Sequence, residues 1–242
     1  MKPSFLPIFA AALLCGAPAS FAKLSPTAAK RPPTAAKRPA AADEDIIVVL
    51  RARAGMGSVQ AKNTLGFMYA TGRGVPKDYA EALRWYRKAA AQGSAKAQNS
   101  LGLMYSAGWG VRKDHAEAVK WYRKAAEHGH ALAQNNLGFA YAQGDGVRKD
   151  YAESVRWYRK GAEHGSAPAQ NSLGFMYATG RGVPKNYAEA GKWFLLAVAQ
   201  GQESARRNYA ILQRILAKDE SRLLRSLRRQ HRRGAANGTS RG

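Results

Sequence analysis

Asn63-Thr-Leu-Gly-Phe-Met-Tyr-Ala-Thr-Gly-Arg-Gly-Val-Pro-Lys-Asp-Tyr-Ala-Glu-Ala-Leu-Arg-Trp85 returns almost unchanged at residues 171–193, with 19 of its 23 positions identical. Two further copies lie between, so the chain repeats every 36 residues. Leu65-Gly66, Leu101-Gly102, Leu137-Gly138 and Leu173-Gly174 are in register, as are Tyr69, Tyr105, Tyr141 and Tyr177. Trp85, Trp121, Trp157 and Trp193 follow, and Gly93, Gly129, Gly165 and Gly201 close the units. A period of this length marks a solenoid, because one such unit cannot bury its own apolar face and must stack on a neighbour.

Each unit reads as two helices. In the second, Ser94 caps a helix carrying Ala97, Leu101, Met104 and Tyr105 at three- and four-residue spacing, and Gly108 and Gly110 stop it. Asp114-His-Ala-Glu117 then has the form of a capping box, in which each side chain takes an amide at the helix start. The device recurs at Asp78/Glu81, Asp150/Glu153 and Asn186/Glu189. The second helix should bury Ala118, Trp121, Tyr122 and Ala125 and end at a left-handed Gly129. Gly66 and its equivalents sit inside the first helix, where glycine costs about 1 kcal/mol relative to alanine. A close approach of the paired helix, under the tryptophan ring, is the expected compensation.

The units span 58–93, 94–129, 130–165 and 166–201, flanked by half-units at 45–57 and 202–217 that should cap the stack. The pattern A-x-x-x-L-G-x-M-Y-x-x-G-x-G-V-x-K-D-x-x-E-A-x-x-W-Y-R-K-A-A-x-x-G resembles the Sel-like repeats, a branch of the tetratricopeptide-like superfamily. The resemblance implies an all-α, right-handed solenoid of antiparallel helix pairs whose concave face binds proteins or peptides. It also implies no shared active site. Some members carry a disulfide in every repeat; the cysteines for that are missing here.

Outside the repeats the composition changes. Residues 1–22 combine Lys2, an apolar run and a small-residue Ser20-Phe-Ala22 end, the form of a cleaved secretory signal. That run falls short of the ~20 residues of a membrane span. The single cysteine, Cys15, would leave with it, so the mature chain could form no disulfide. A periplasmic or secreted location follows as the expectation. Residues 23–44 hold the tandem heptads Pro26–Pro32 and Pro33–Pro39, a semi-stiff basic linker. Residues 218–242 form a basic tail in which Arg225, Arg228 and Arg229 alternate with leucines, as in a helix suited to an anionic surface; its last nine residues read as unstructured.

The net charge of +23 attracts polyanions but says nothing of fold. Gly-x-Gly-Val recurs in every inter-helix loop without the Gly-Lys-Ser/Thr and preceding strand of a phosphate loop. His128 and His164 occupy equivalent places in stacked units, about one helix-packing distance of 8–10 Å apart, and cannot share a zinc ion. No nucleophile-base grouping stands out, so the expectation is a non-enzyme without cofactor or metal. Two surfaces remain. Asn63, Asn99, Asn135 and Asn171 recur four residues before Phe67, Leu103, Phe139 and Phe175. That stripe would line a groove, with amides for a bound backbone and rings as anchors. Arg87/Lys88, Arg123/Lys124 and Arg159/Lys160 share one face of the second helices and would stack into a positive ridge. In the fourth unit Leu195 and Leu196 replace that pair, an apolar end for the C-terminal segment to cover. The groove predicts a protein or peptide partner. The ridge predicts an anionic envelope polymer or lipid, and export argues against nucleic acid.

Overall fold

The computed structural model describes the backbone of residues 41–238 and the side chains of 45–222, 224 and 225; the signal, most of the linker and the last four residues lie outside. Among the described residues there are ten helices and no strand. Helix α1 (Ala41–Gly55) is followed by four pairs: α2 (Val59–Thr71) with α3 (Tyr79–Ala90), and α4 (Ala95–Ala107) with α5 (His115–Glu127). Then come α6 (Ala131–Gln143) with α7 (Tyr151–Glu163), and α8 (Ala167–Thr179) with α9 (Tyr187–Ala199), before the long α10 (Glu203–Gly238). Each helix packs on the next, and α6 also touches α8, as α8 touches α10. No two successive second helices come as close, so the first helices line the inner side of the stack. The solenoid of helix pairs is the architecture the period requires.

Leu65, Leu101, Leu137 and Leu173 are wholly buried and form its spine. Ile47 and Ala54 of α1 join the core at one end, and Ala205 and Leu212 of α10 at the other. Helix α10 runs without a break through residues 217 and 218 to Gly238, so the final half-unit and the basic tail are one element. The helix also includes most of the glycine- and alanine-rich end read as unstructured. Leu195 and Leu196 stand about half exposed, and α10 does not cover them.

Two local expectations need correction. Asp78, Asp114, Asp150 and Asn186 do cap their helices, accepting the amides of Glu81, Glu117, Glu153 and Glu189 at 2.9–3.0 Å. The reciprocal half of the box is not made. The amides of these four caps go instead to the carbonyls of Tyr69, Tyr105, Tyr141 and Tyr177 on the preceding helix, each at 2.9 Å. The glutamates are thereby released to pair with Arg84, Lys120, Arg156 and Lys192 one turn on.

The second correction concerns the helical glycines. A Cβ on Gly102 would lie 2.5 Å from the ring of Tyr122, not beneath a tryptophan. Tyr86, Tyr158 and Phe194 stand in the same relation to Gly66, Gly138 and Gly174. The tryptophan precedes that ring by one residue, about 100° around a 3.6-residue turn, and so points elsewhere. Burial pushes the Tyr86 hydroxyl up to about 12, partly offset by a hydrogen bond with Ser100, and raises Tyr122 likewise, against Ser106.

Candidate binding surfaces

The asparagine stripe lies inside the stack. Asn63, Asn99, Asn135 and Asn171 are at most 9% exposed. Asn136 donates its Nδ2 to Asn99 Oδ1 at 2.9 Å, and Asn208 does the same to Asn171 at 2.9 Å. Ser172 Oγ donates to Asn135 Oδ1 at 3.3 Å, while Asn63 Nδ2 reaches Ser94 Oγ at 2.8 Å. These amides tie one unit to the next and do not face a groove, contrary to the sequence reading. The sequence does carry a signal for this arrangement: the position after each asparagine in the following unit is Ser100, Asn136, Ser172 or Asn208, always polar.

The ring stripe divides. Phe139 and Phe175 are half-buried and pack on the cores of the following junctions, as does Leu103 on the core around Leu137. Phe67 is 37% exposed, with the Arg73 guanidinium 5.7 Å from its ring.

The basic residues on the second helices form two rows of different character. Arg84, Lys120 and Arg156 are paired with glutamates one turn back. Arg87, Arg123 and Arg159 donate to the hydroxyls of Tyr105, Tyr141 and Tyr177 of the next unit at 2.8, 2.9 and 2.8 Å. Arg51 of α1 holds Tyr69 in the same way. Lys88, Lys124 and Lys160 set their ammonium groups 4.5, 4.6 and 4.4 Å over Trp85, Trp121 and Trp157. Neither a phenol nor an indole carries charge, so this second row stays positive. Arg225 is exposed on α10; the side chains of Arg228 and Arg229 fall outside the described residues.

The histidines have structural partners. His164 Nδ1 meets Gln134 Oε1 at 2.9 Å, and Gln134 in turn donates to the Ala126 carbonyl at 3.0 Å. His128 turns instead to the Lys124 carbonyl at 2.7 Å, leaving the buried Gln98 Oε1 without a partner. His130 caps α6 through Nδ1, where the other first helices use Ser58, Ser94 and Ser166. Burial, reinforced by the Lys96 ammonium, holds its pKa below the ordinary imidazole value. Among the described residues no three His, Cys, Asp or Glu side chains gather where a metal could bind. No described helix is long and apolar enough to cross a membrane.

The packing between the second and third units departs from that of its neighbours. Between α4, α5 and α6 lies a cavity of about 180 Å³, walled by Leu103, Val119, Tyr122, Phe139 and Ala140, with Asn135, Asn136, Ser106, His115 and Asp145 supplying polar atoms. At the equivalent positions the other units carry Phe67, Phe139 and Phe175 for Leu103, and Met68, Met104 and Met176 for Ala140. They carry Tyr79, Tyr151 and Tyr187 for His115. Three large side chains are thus replaced by smaller ones in a single junction. The same change reaches the loop. Trp109 stacks on Tyr79 with ring centroids 5.5 Å apart, and Arg181 lies 5.6 Å over Tyr151, but the third place is taken by Asp145 beside His115.

Helix pairs in register, glycine-seated rings and left-handed loop glycines define a tandem-repeat solenoid of the tetratricopeptide-like kind. The Sel1 repeat family matches the chain four times in succession, at residues 59–94, 95–130, 131–166 and 167–202, and the chain belongs to that family. It resembles the crystal structure of c5321, a protective antigen of uropathogenic Escherichia coli displaying an SLR fold. The two are 44% identical, with a TM-score of 0.63 over 67% of this chain, which spans only 35% of c5321. A Sel1 repeat protein from Oxalobacter formigenes is 39% identical, with a TM-score of 0.62 and 70% of each chain covered. Immunity protein Pa5087 from Pseudomonas aeruginosa is 27% identical, with a TM-score of 0.50 over 67% of this chain and 60% of that one. No curated protein sequence matches the chain. Sel1-repeat proteins are in general scaffolds for protein interaction, and that is the class of function the family membership supports.

Proposed function

We propose that this chain is an exported, non-enzymatic adaptor that holds a protein or peptide against the first-helix side of its solenoid. The observation that carries the reading is the apolar cavity at the junction of the second and third units, where partly exposed Leu103 and Phe139 border unfilled space. A stack held together by apolar packing and amide ties elsewhere has no structural use for a void there. Apolar pockets with a few converging polar groups are the usual form of a binding site. Export rests on the character of residues 1–22.

A second reading has its own support. Arg87, Lys88, Arg123, Lys124, Arg159 and Lys160 have partners that leave their charge uncompensated, and α10 continues the basic character. Such a surface would bind an anionic polymer or membrane and release it steeply with salt.

Affinity capture from an envelope extract, using residues 23–242 as bait and washing at low and then high salt, separates the two. A defined polypeptide retained at high salt supports the adaptor. Release of everything by salt, with anionic lipid or polysaccharide in the eluate, supports the ridge and defeats the adaptor.

A further inference from the structure

We infer that the cavity between the second and third units is an anchor pocket for one tyrosine side chain of the bound polypeptide. The inference rests on the adaptor reading and gives it a chemical address.

Size narrows the occupant first. Cofactors and drug-sized ligands occupy about 300–1,000 Å³, whereas an apolar cavity of ~150 Å³ takes up benzene. A volume of about 180 Å³ therefore fits a single substituted ring. The walls suit one. Leu103, Val119 and Ala140 offer aliphatic contact, while the Phe139 and Tyr122 rings can meet an aromatic guest edge-on or offset.

The polar lining narrows it further. Asp145 stands where the other loops carry Arg73, Trp109 and Arg181, so an arginine or ring that would close over the junction is exchanged for a carboxylate. An ionised carboxylate only accepts hydrogen bonds. An occupant that fills the apolar part and brings a donor to Asp145 satisfies both halves of the site, and a phenol does so. Phenylalanine fills the space without supplying the donor. Leucine lacks the ring.

The test uses N-acetyl-Gly-Xaa-Gly-amide tripeptides, with tyrosine, phenylalanine, leucine or alanine as Xaa, titrated into the full mature chain and followed by NMR shifts of the Val119 methyls, which line the cavity and are kept in every variant. The tyrosine peptide should bind at least tenfold more tightly than the alanine peptide and about threefold more tightly than the phenylalanine peptide. The double substitution Leu103→Phe/Ala140→Met installs the side chains found in the other units, and it should lower tyrosine-peptide affinity at least tenfold. Asp145→Ala, which removes the acceptor without laying a side chain over the cavity, should erase the preference for tyrosine over phenylalanine. Equal binding of the tyrosine and alanine peptides, or unchanged tyrosine binding to the filled variant, overturns the inference. The envelope capture repeated with the filled variant keeps the two readings apart. A polypeptide retained equally by both baits sinks the pocket and leaves the adaptor standing; loss of all polypeptide from the unmodified bait sinks the adaptor itself.

Discussion

The junction between the third and fourth units and the one between the second and third use the same backbone and differ in a handful of side chains. In the former, Met176 is buried, Phe139 packs across the seam and Arg181 lies over Tyr151. In the latter, Ala140, Leu103, Asp145 and His115 occupy the equivalent places around a cavity. A tandem repeat thus carries its own control experiment: the side chains exchanged at one seam can be judged against those at its neighbours on the same backbone.

The largest effect should come from imposing the open seam on the closed one. Met176→Ala is expected to cost about 2–5 kcal/mol, the range for emptying a buried methionine site. Ala140→Met, which fills a space already present, should leave stability equal or higher. Thermal unfolding of the two variants side by side checks the contrast, and a Met176→Ala loss below the effect of Ala140→Met would break it.

Next in size is a contrast between glycines. Gly102→Ala drives a methyl into the Tyr122 ring and should destabilise by about 1–3 kcal/mol through overpacking. Gly191 is helical too, but its nearest neighbours are Leu212 and Tyr209 atoms at 3.7 and 3.8 Å. Gly191→Ala should therefore stabilise by up to about 1 kcal/mol, the helix propensity difference alone. Chemical denaturation midpoints moving in the same direction would refute the explanation of the repeated spacing between glycine and ring.

The amide ties differ from seam to seam by a smaller margin. Asn99→Ala strands the buried Asn136 amide that donates to it at 2.9 Å and should cost about 1–3 kcal/mol. Asn135→Ala strands only the Ser172 hydroxyl, held at 3.3 Å, and should cost less. Amide hydrogen exchange in α6 and α8 would report each loss at its own seam.

The smallest effect is acid sensitivity at the start of α6. His130 accepts the Ala133 amide through Nδ1, so it must be neutral there, and burial lowers its pKa in the fold. The unfolded chain then binds the proton more readily. This contribution is fully present above the ordinary imidazole value of about 6.5 and is lost as pH falls below it. His130→Ser restores the cap used by the other units and should remove that pH dependence, at most about 2 kcal/mol. Unfolding followed between pH 7 and 5 measures the difference.

The architecture was legible because period, cap and glycine signals are local: Ser94, Asp114 and the left-handed Gly108 and Gly129 act within their own turns. What crosses between elements was harder to read. Gly102 announced a close contact, but whether Trp121 or Tyr122 supplied it depended on the rotation of α5 about its axis. The Asn99 stripe has the spacing of a groove face and of an inter-unit seam alike, and the choice rested on the stacking angle between α4 and α6. The cavity was recoverable in principle from Leu103, His115 and Ala140, each smaller than the residue at its place in the other repeats. It became visible as a site once folding placed α4, α5 and α6 around one space.

The wiring between units has a further consequence. Hydrogen bonds that join them link residues 18, 30 and 37 apart: Arg87 to Tyr105, Gln134 to His164, Asn99 to Asn136. Each unit therefore needs only its immediate neighbour, and a chain emerging from the ribosome can lay units down one at a time in the order they are made. Copy number becomes a heritable dial. Gain or loss of a 36-residue block between equivalent seams lengthens or shortens the array without inventing a new contact, whereas loss of the block at 131–166 would remove Asn135, Asn136, Phe139, Ala140 and Asp145 together. Array length and cavity are thus separable everywhere except at the third unit, whose loss would take the cavity with it.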